Sequence, residues 1–470
     1  MIKPPYNIVL IVADTYRKDN AQLTSAGDFR SPFFRKLQPF YAFDRCFSSA
    51  PWTLPACSSI LSGIDSSTHG YFFHNRPLGR PTIGRYLDGE MHKVGIVNNR
   101  NLREFTGFPK EFDEYWWSSE HEEPFDRARR FLSHRPGKTP YFLLFHTNIP
   151  HDYFRDRSED YYREAFPGSD DWFSLGSNVA TWAGVTAERR NTVRPIYDAS
   201  TRHMEERLAA LLDLIDLEQT IICFVADHGE GFDYERVRIH HGGRLHDDLI
   251  RVPLALRLPE GADRGHHEKL AAAQGRASGI VDILPTLLEL SGRAVPKQID
   301  GRSFLDSFDN EPRNLVAEDK RYLYRPNRER FNVNFRGKNS SFWARLKNLT
   351  AQKTLIRGFN LKAYIRYPYK LIITSYRHPS YLPLSTLGAK FLETLFFSRD
   401  PLLQFDDVLL SLELFDLEND SGESTNLLSG SLPKDLHENI GDRLGDPEAM
   451  VLDLMGKRFS LEEAVQRAPV

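Results

Sequence analysis

The residues able to do chemistry sit in a few short runs. Thr53-Leu54-Pro55 lies in residues 50–70, APWTLPACSSILSGIDSSTHG. Asp14-Thr15 follows the apolar run NIVLIVA, and Asp227-His228-Gly229-Glu230 follows QTIICFVA. His151 comes shortly after PYFLLFH, and His241 lies in His240-His241-Gly242-Gly243. Two carboxylates (Asp14, Asp227), the His228 imidazole and the Thr53 hydroxyl form a donor set for one divalent cation. A hydroxyl oxygen held at such a cation is acidified and becomes a nucleophile near neutral pH. His151 and His241 can hold non-bridging oxygens or protonate a leaving group. Taken singly, each residue has a plainer reading: Asp14 as a turn residue, Thr53 as a helix cap, each histidine as a loop residue. Their joint position after successive strands carries the functional reading.

The positioning elements follow from local pattern. Residues 50–70 read as loop, short helix and loop. Pro55 suits the first helical turn, Thr53 falls at or near the N-cap, and Gly63 suits the C-terminus. A hydroxyl there sits at the positive end of a helix dipole, which favours a deprotonated oxygen. Residues 7–13, 93–97, 140–146, 219–225 and 251–256 are short apolar runs that stop at polar clusters, as doubly covered strands do. The run 93–97 ends at Asn98-Asn99. Residues 82–87, 195–215 and 281–291 read as helices; the second carries Met204, Leu208, Leu211, Leu212 and Ile215 at helical spacing. Such alternation predicts an α/β fold with a parallel sheet, its ligands bound beyond the strand C-termini. Residues 153–192 read as an insertion over that face.

Composition sets outer bounds. The chain has 470 residues and a net charge of -3, so bulk charge selects no partner. Three cysteines without metal-type spacing fit a reducing compartment. The first apolar run is too short for a secretory h-region, and no run approaches the ~20 apolar residues of a membrane span. The expectation is a cytoplasmic protein. Residues 320–370 are basic, interleave Tyr, Phe and Trp, and hold Glu329 as their one acidic residue. A polyanion-binding surface and a solvated insertion are both open readings, and no nucleic-acid motif accompanies the segment. Residues 381–410 are rich in Leu and Phe, fitting a core or partner-facing helix better than a lipid contact. The expected division is a catalytic domain over 1–314 and a C-terminal subdomain over 315–470.

Taken in order, these motifs resemble the sulfatase branch of the alkaline phosphatase superfamily. NIVLIVADTYRKDN resembles its opening strand and metal-binding aspartate, and WTLPACSSILSGIDSSTHG its nucleophile helix. FLLFHTNIPHDYF, VADHGEGF and HHGGRLHDDLIRVPL resemble later active-site segments, and ELFDLENDSGESTNL a late signature. The resemblance implies an alkaline phosphatase-like α/β sandwich with a central, mostly parallel sheet and a smaller C-terminal α+β subdomain. It implies Thr53 as nucleophile and Asp14, Asp227, His228 and Thr53 as metal ligands. His151 and His241 become catalytic, and Asn99 and Arg244 bind substrate, Arg244 replacing a lysine usual near the His241 loop.

The departures are informative. Sulfatases proper carry C/S-x-P-x-R, whose first residue is oxidised to formylglycine. Here Thr53 takes that position and Cys57 the arginine position. Threonine nucleophiles in this superfamily go with phosphodiesterases and phospho-group transferases, which turns the expectation toward phosphorus. Thr15 replaces a common second aspartate and His228 a common asparagine. That nitrogen-richer set favours Mn²⁺ or Zn²⁺, with Ca²⁺ and Mg²⁺ as alternatives. One ion is expected, because Asp198 and His203, ahead of Asp227, lack the Asp-x-x-x-His spacing of a second metal pair. The expected substrate is an anionic ester, a saccharide or lipid conjugate among the options. A phospho-group transferase on the same site and a catalytically silent binding protein remain as alternatives.

Overall fold

The structure is a computed structural model. It describes residues 6–21, 23, 31–72, 77–87, 89, 91–134, 139–153, 187–233, 238–306, 313–321, 359–377, 402–405 and 408–427. Most of the expected insertion over 153–192, of the basic segment 320–370 and of the Leu- and Phe-rich segment 381–410 lies outside the described residues.

The strands in chain order are β1 (Asn7–Ala13), β2 (Tyr41–Ala42), β3 (Cys46–Phe47), β4 (His92–Val97), β5 (Glu114–Trp117) and β6 (Tyr141–Thr147). They continue as β7 (Thr220–Ala226), β8 (Phe232–Asp233), β9 (Arg238–Ile239), β10 (Arg251–Val252), β11 (Leu254–Arg257) and β12 (Ser278–Gly279). Every residue of β1, β6 and β7 is buried, which is what unbroken apolar runs dictate. They form the middle of a seven-stranded sheet of order β2-β11-β7-β1-β6-β4-β5. From β7 to β5 all pairings are parallel.

The other edge departs from the sequence expectation. β11 runs antiparallel to β7, and β2 antiparallel to β11. Residues 251–256, expected as one strand, are divided: β10 pairs with β3 in a separate small sheet, and β11 joins the main one. Pro253 stands between them, where a residue without an N–H interrupts a ladder. Apolar periodicity reports burial and not strand direction, so the reversal left no mark on the pattern.

Helix bounds shift for local reasons. The helix expected from Pro195 runs Ala187–Leu212 with Pro195 inside it. The helix expected over 281–291 is a 3₁₀ turn, Ile280–Asp282, followed by Ile283–Leu290. Pro285 falls in the first turn of the latter, where its missing N–H would be unpaired anyway. The one expected over 82–87 is a single turn, Ile83–Tyr86. An aromatic cluster locks β7 to the chain beyond β1: Phe33, Phe34 and Tyr16 have ring centroids 5.2, 5.2 and 5.6 Å from Phe224.

The chain divides into two compact units, Met1–Ala317 and Glu318–Val470. A second sheet comprises β13 (Leu315–Arg321), β14 (Phe359–Arg366), β15 (Tyr369–Arg377), β16 (Leu402–Phe405) and β17 (Val408–Asp416), in the order β13-β14-β15-β17-β16. The β14-β15, β15-β17 and β16-β17 pairings are antiparallel. Among the described residues no helix is long and apolar enough to cross a membrane.

Candidate active site

Register brings the two carboxylates together. Ala13 at the end of β1 pairs with Ala226 at the end of β7. The next residues, Asp14 and Asp227, therefore leave neighbouring parallel strands at the same level, where strands lie about 4.8 Å apart. Both are fully buried. Burial and the Asp227 charge push the Asp14 carboxyl up to about 7. Burial likewise lifts Asp227 to about 7, although the backbone N–H groups of His228 and Thr15 pull the other way. Those groups donate to Asp227 Oδ1 over 2.8 and 3.3 Å. Thr15 reaches it by taking a left-handed backbone, φ 55°, rare for a β-branched residue.

His228 is oriented by its own loop. Its Nδ1–H donates to the Gly229 carbonyl over 2.9 Å, so Nε2 carries the free lone pair. Nε2 lies 3.4 Å from Asp14 Oδ1 and 3.6 Å from Asp227 Oδ2. One ligand atom from each of Asp14, Asp227 and His228 lies within 4.8 Å of the others. Asp14 Oδ1 is buried without a hydrogen-bond partner. Carboxylate oxygens and a bare ring nitrogen converging with an orphaned acceptor among them fit a divalent cation, which all of them can ligate.

The helix Thr53–Ser62 brings the hydroxyl to the same point. Its N-cap is Trp52, with no side-chain cap bond, so Thr53 is the first helical residue and not the cap. Its hydroxyl is therefore free to donate to Asp14 Oδ2 over 3.2 Å, and its oxygen lies 3.5 Å from His228 Nε2. Gly63 ends the helix at φ 68° with its N–H on the Ser59 carbonyl, as its sequence position suggested.

The histidines split by environment. His151 Nδ1 and Asp152 Oδ1 are 2.7 Å apart. Burial opposes a charge on His151, but Asp14, Asp152 and Glu230 raise its pKa to about 10. His241 instead donates from Nδ1 to Glu230 Oε2 over 3.1 Å, which leaves its Nε2 as an acceptor. Burial lowers its pKa despite Glu230. The His241 ring centroid is 4.9 Å from those of both His151 and His228.

The two expected substrate contacts, Asn99 and Arg244, each have partners within the protein. Asn99 Nδ2 donates to Asp14 Oδ2 over 2.7 Å and to Asn148 Oδ1 over 2.9 Å. It thus holds a carboxylate. Arg244 is bonded to Asp248 and donates to the His240 carbonyl over 2.9 Å, bracing its loop. Three residues at this centre were not singled out as functional from sequence: Cys57, His146 and Glu230. Cys57 lies one helical turn beyond Thr53, a spacing that puts both on one face. His146 falls within an apolar strand run, which masked it. Glu230 stood in plain sight beside Asp227-His228.

The family model described as Sulfatase matches residues 6–293, and the chain belongs to that family of ester hydrolases. The uncharacterized sulfatase YidJ of Escherichia coli strain K12 is 21% identical over 338 residues, covering 60% of this chain and 66% of YidJ. The chain spans just under two-thirds of the curated relatives it matches, at 66% and 65% of their lengths. The phosphonate monoester hydrolase of Agrobacterium radiobacter superposes with a TM-score of 0.61 at 17% identity, over 96% of this chain and 95% of that one. A protein solved with its substrate D-glucosamine-2-N,6-O-disulfate superposes with a TM-score of 0.58 at 14% identity, over 98% of both chains. The fold is that of the sulfatase and alkaline phosphatase-like structures, with a mixed central sheet and a separate antiparallel sheet. Sulfatase-family enzymes are metal-dependent, and the Asp14, Asp227 and His228 donors fit that requirement.

Proposed function

We propose that this chain is a metal-dependent hydrolase of phosphate mono- or diesters, phosphonates or sulfate esters, with Thr53 as its nucleophile. The observation that carries the reading is the Thr53 hydroxyl, uncommitted to capping, 3.2 Å from Asp14 Oδ2 and 3.5 Å from His228 Nε2. Asp14, Asp227 and His228 hold the cation, with Thr53 as a further oxygen donor. When bound, a divalent cation acidifies an oxygen beside it and takes up charge on the transferring group. Mn²⁺ and Zn²⁺ suit this nitrogen-containing set better than Ca²⁺.

The residues then divide the work. The Thr53 oxygen forms a bond to phosphorus or sulfur, its proton moving toward Asp14 Oδ2. The ester bond on the far side breaks, and the leaving oxygen takes the proton of His151. Water then attacks the threonine ester and gives its proton to neutral His151, and Thr53 leaves with its own proton restored. His241, with Nε2 as an acceptor and Nδ1–H held by Glu230, orients the incoming water or acceptor hydroxyl. A threonine ester has no geminal hydroxyl to expel the anion, which favours phosphorus esters. Relatives that act on sulfated sugar and phosphonate esters keep both elements within reach.

The test is turnover of matched aryl esters by metal-reconstituted protein, with Thr53→Ala as control. The set contains a sulfate, a phosphate monoester, a phosphodiester and a phosphonate monoester. Diester or phosphonate turnover that vanishes in the variant is the expected result. Turnover that survives Thr53→Ala removes Thr53 from its role. Product transferred to an added alcohol in preference to water would recast the enzyme as a transferase.

A further inference from the structure

Beside the carboxylate pair lies a second donor group that the proposed chemistry leaves unused. Cys57 Sγ is 3.8 Å from Asp227 Oδ2. His146, fully buried in β6, has Nε2 3.7 Å from Asp14 Oδ2. Neither of its ring nitrogens has a hydrogen-bond partner. A buried imidazole left without partners is costly, and a protein keeps one where something else satisfies it. One ligand atom each from Cys57, His146 and Asp227 lies within 4.8 Å of the others. Cys46 and Cys223 are buried too, but neither belongs to a comparable donor group among the described residues.

Asp227 is built to serve both groups. Its Oδ1 accepts two backbone N–H groups, which fixes the carboxylate plane. Its Oδ2 lies 3.6 Å from His228 Nε2 and 3.8 Å from Cys57 Sγ. We propose that Cys57, His146 and Asp227 form a second cation position of zinc type, adjoining that of Asp14, Asp227 and His228, with Asp227 Oδ2 as the bridge. Thiolate, imidazole and carboxylate are a zinc donor set, and binding releases the thiol proton. Three anions, Asp14, Asp227 and the Cys57 thiolate, then stand against two dications, and an anionic ester supplies the balance. The sequence expectation of one ion rested on the spacing of Asp198 and His203, which does not make a second metal pair. The donors found here come instead from the position of the family's arginine and from β6. The inference rests on the proposed role of Asp227 and otherwise uses residues with no part in that reading.

The experiment is metal analysis of the whole protein, stripped with chelator and reloaded with Zn²⁺ or Co²⁺, with no substrate present. Expected are two equivalents per chain and, with Co²⁺, a near-ultraviolet thiolate-to-cobalt band. Cys57→Ser and Cys57→Ala each remove the band and one equivalent. His146→Gln removes one equivalent, and His228→Ala removes one equivalent while sparing the band. One equivalent without a band, indifferent to Cys57→Ser but lost in His228→Ala, overturns the second position and leaves the first intact. One equivalent with a band that survives His228→Ala keeps the Cys57 position and sinks the Asp14–His228 one. A single ion whose band disappears in His228→Ala also overturns the proposal, since one position then uses both donor sets.

Discussion

Asn99 Nδ2 stands 2.7 Å from Asp14 Oδ2, the oxygen that also receives the Thr53 hydroxyl. An amide from beyond β4 thereby fixes the carboxylate plane and leaves Oδ1 turned toward His228. Asn99→Ala frees that carboxylate. The expected outcome is metal affinity about 10–100-fold weaker, as for other residues that orient a ligand. Titration of stripped protein with Mn²⁺ or Zn²⁺ checks this. Unchanged affinity would show that Asn99 does not position the metal-binding carboxylate.

Metal removal tests the same centre as a stability question. A cation that binds only the folded chain stabilises it by RT ln(1 + [L]/Kd), about 2.7 kcal/mol at a hundredfold excess over Kd. Chelation is expected to lower Tm and abolish turnover, and Mn²⁺ or Zn²⁺ to restore both. In Asp227→Asn the Tm is expected to ignore added metal.

His69 predicts an acid-sensitive support for the helix that begins at Thr53. The Tyr71 N–H donates to its Nδ1 over 2.9 Å, so Nε2 carries the proton and faces Ser59 Oγ at 3.0 Å. Burial lowers its pKa from 6.5 to about 4. Between those values the unfolded chain binds the extra proton and the native chain does not. Stability is therefore intact above pH 6.5 and falls as the pH drops toward 4. Urea unfolding at pH 7 and 4.5 should show a smaller loss for His69→Gln than for the parent.

Gly229 predicts a site intolerant of one methyl group. A Cβ there would lie 2.1 Å from the Asp248 carbonyl oxygen, in a contact closed by the Gly229 N–H on the Leu249 carbonyl at 2.7 Å. Gly229→Ala must push two backbone segments apart and shift the carbonyl that orients His228. A loss of about 3 kcal/mol in stability is expected, together with most of the turnover. Thermal unfolding and the aryl-ester assay measure the two effects.

These relationships were unequally visible in the chain. Asp14 and Asp227 were legible because each ends an unbroken apolar run, and strands of that kind run parallel in the sheet interior. The helix after Trp52 was legible from Pro55 and Gly63. The freedom of the Thr53 hydroxyl was not, because it depends on where the first helical residue falls, a one-position matter that residue types leave open. His146 was hidden for a different reason: it belongs to a strand and ends with unpaired nitrogens only after folding places Asp14 beside it. The partners of Asn99 and Arg244, Asp14 and Asp248, were not legible, because tertiary packing sets them. The reversed edge of the sheet was invisible because direction leaves no trace in burial.

That reversed edge has an architectural consequence. Because β11 pairs antiparallel with β7, Leu254 faces Val225, and the chain that leaves the sheet after Ala226 re-enters it next door. Asp227, His228, Glu230, His241 and Arg244 all belong to this one excursion, whose two ends are joined by the Ala226 N–H on the Pro253 carbonyl at 3.2 Å. The excursion is thus a cassette on a closed stem. Substitutions within this excursion therefore act on the site while the strands beneath keep their order.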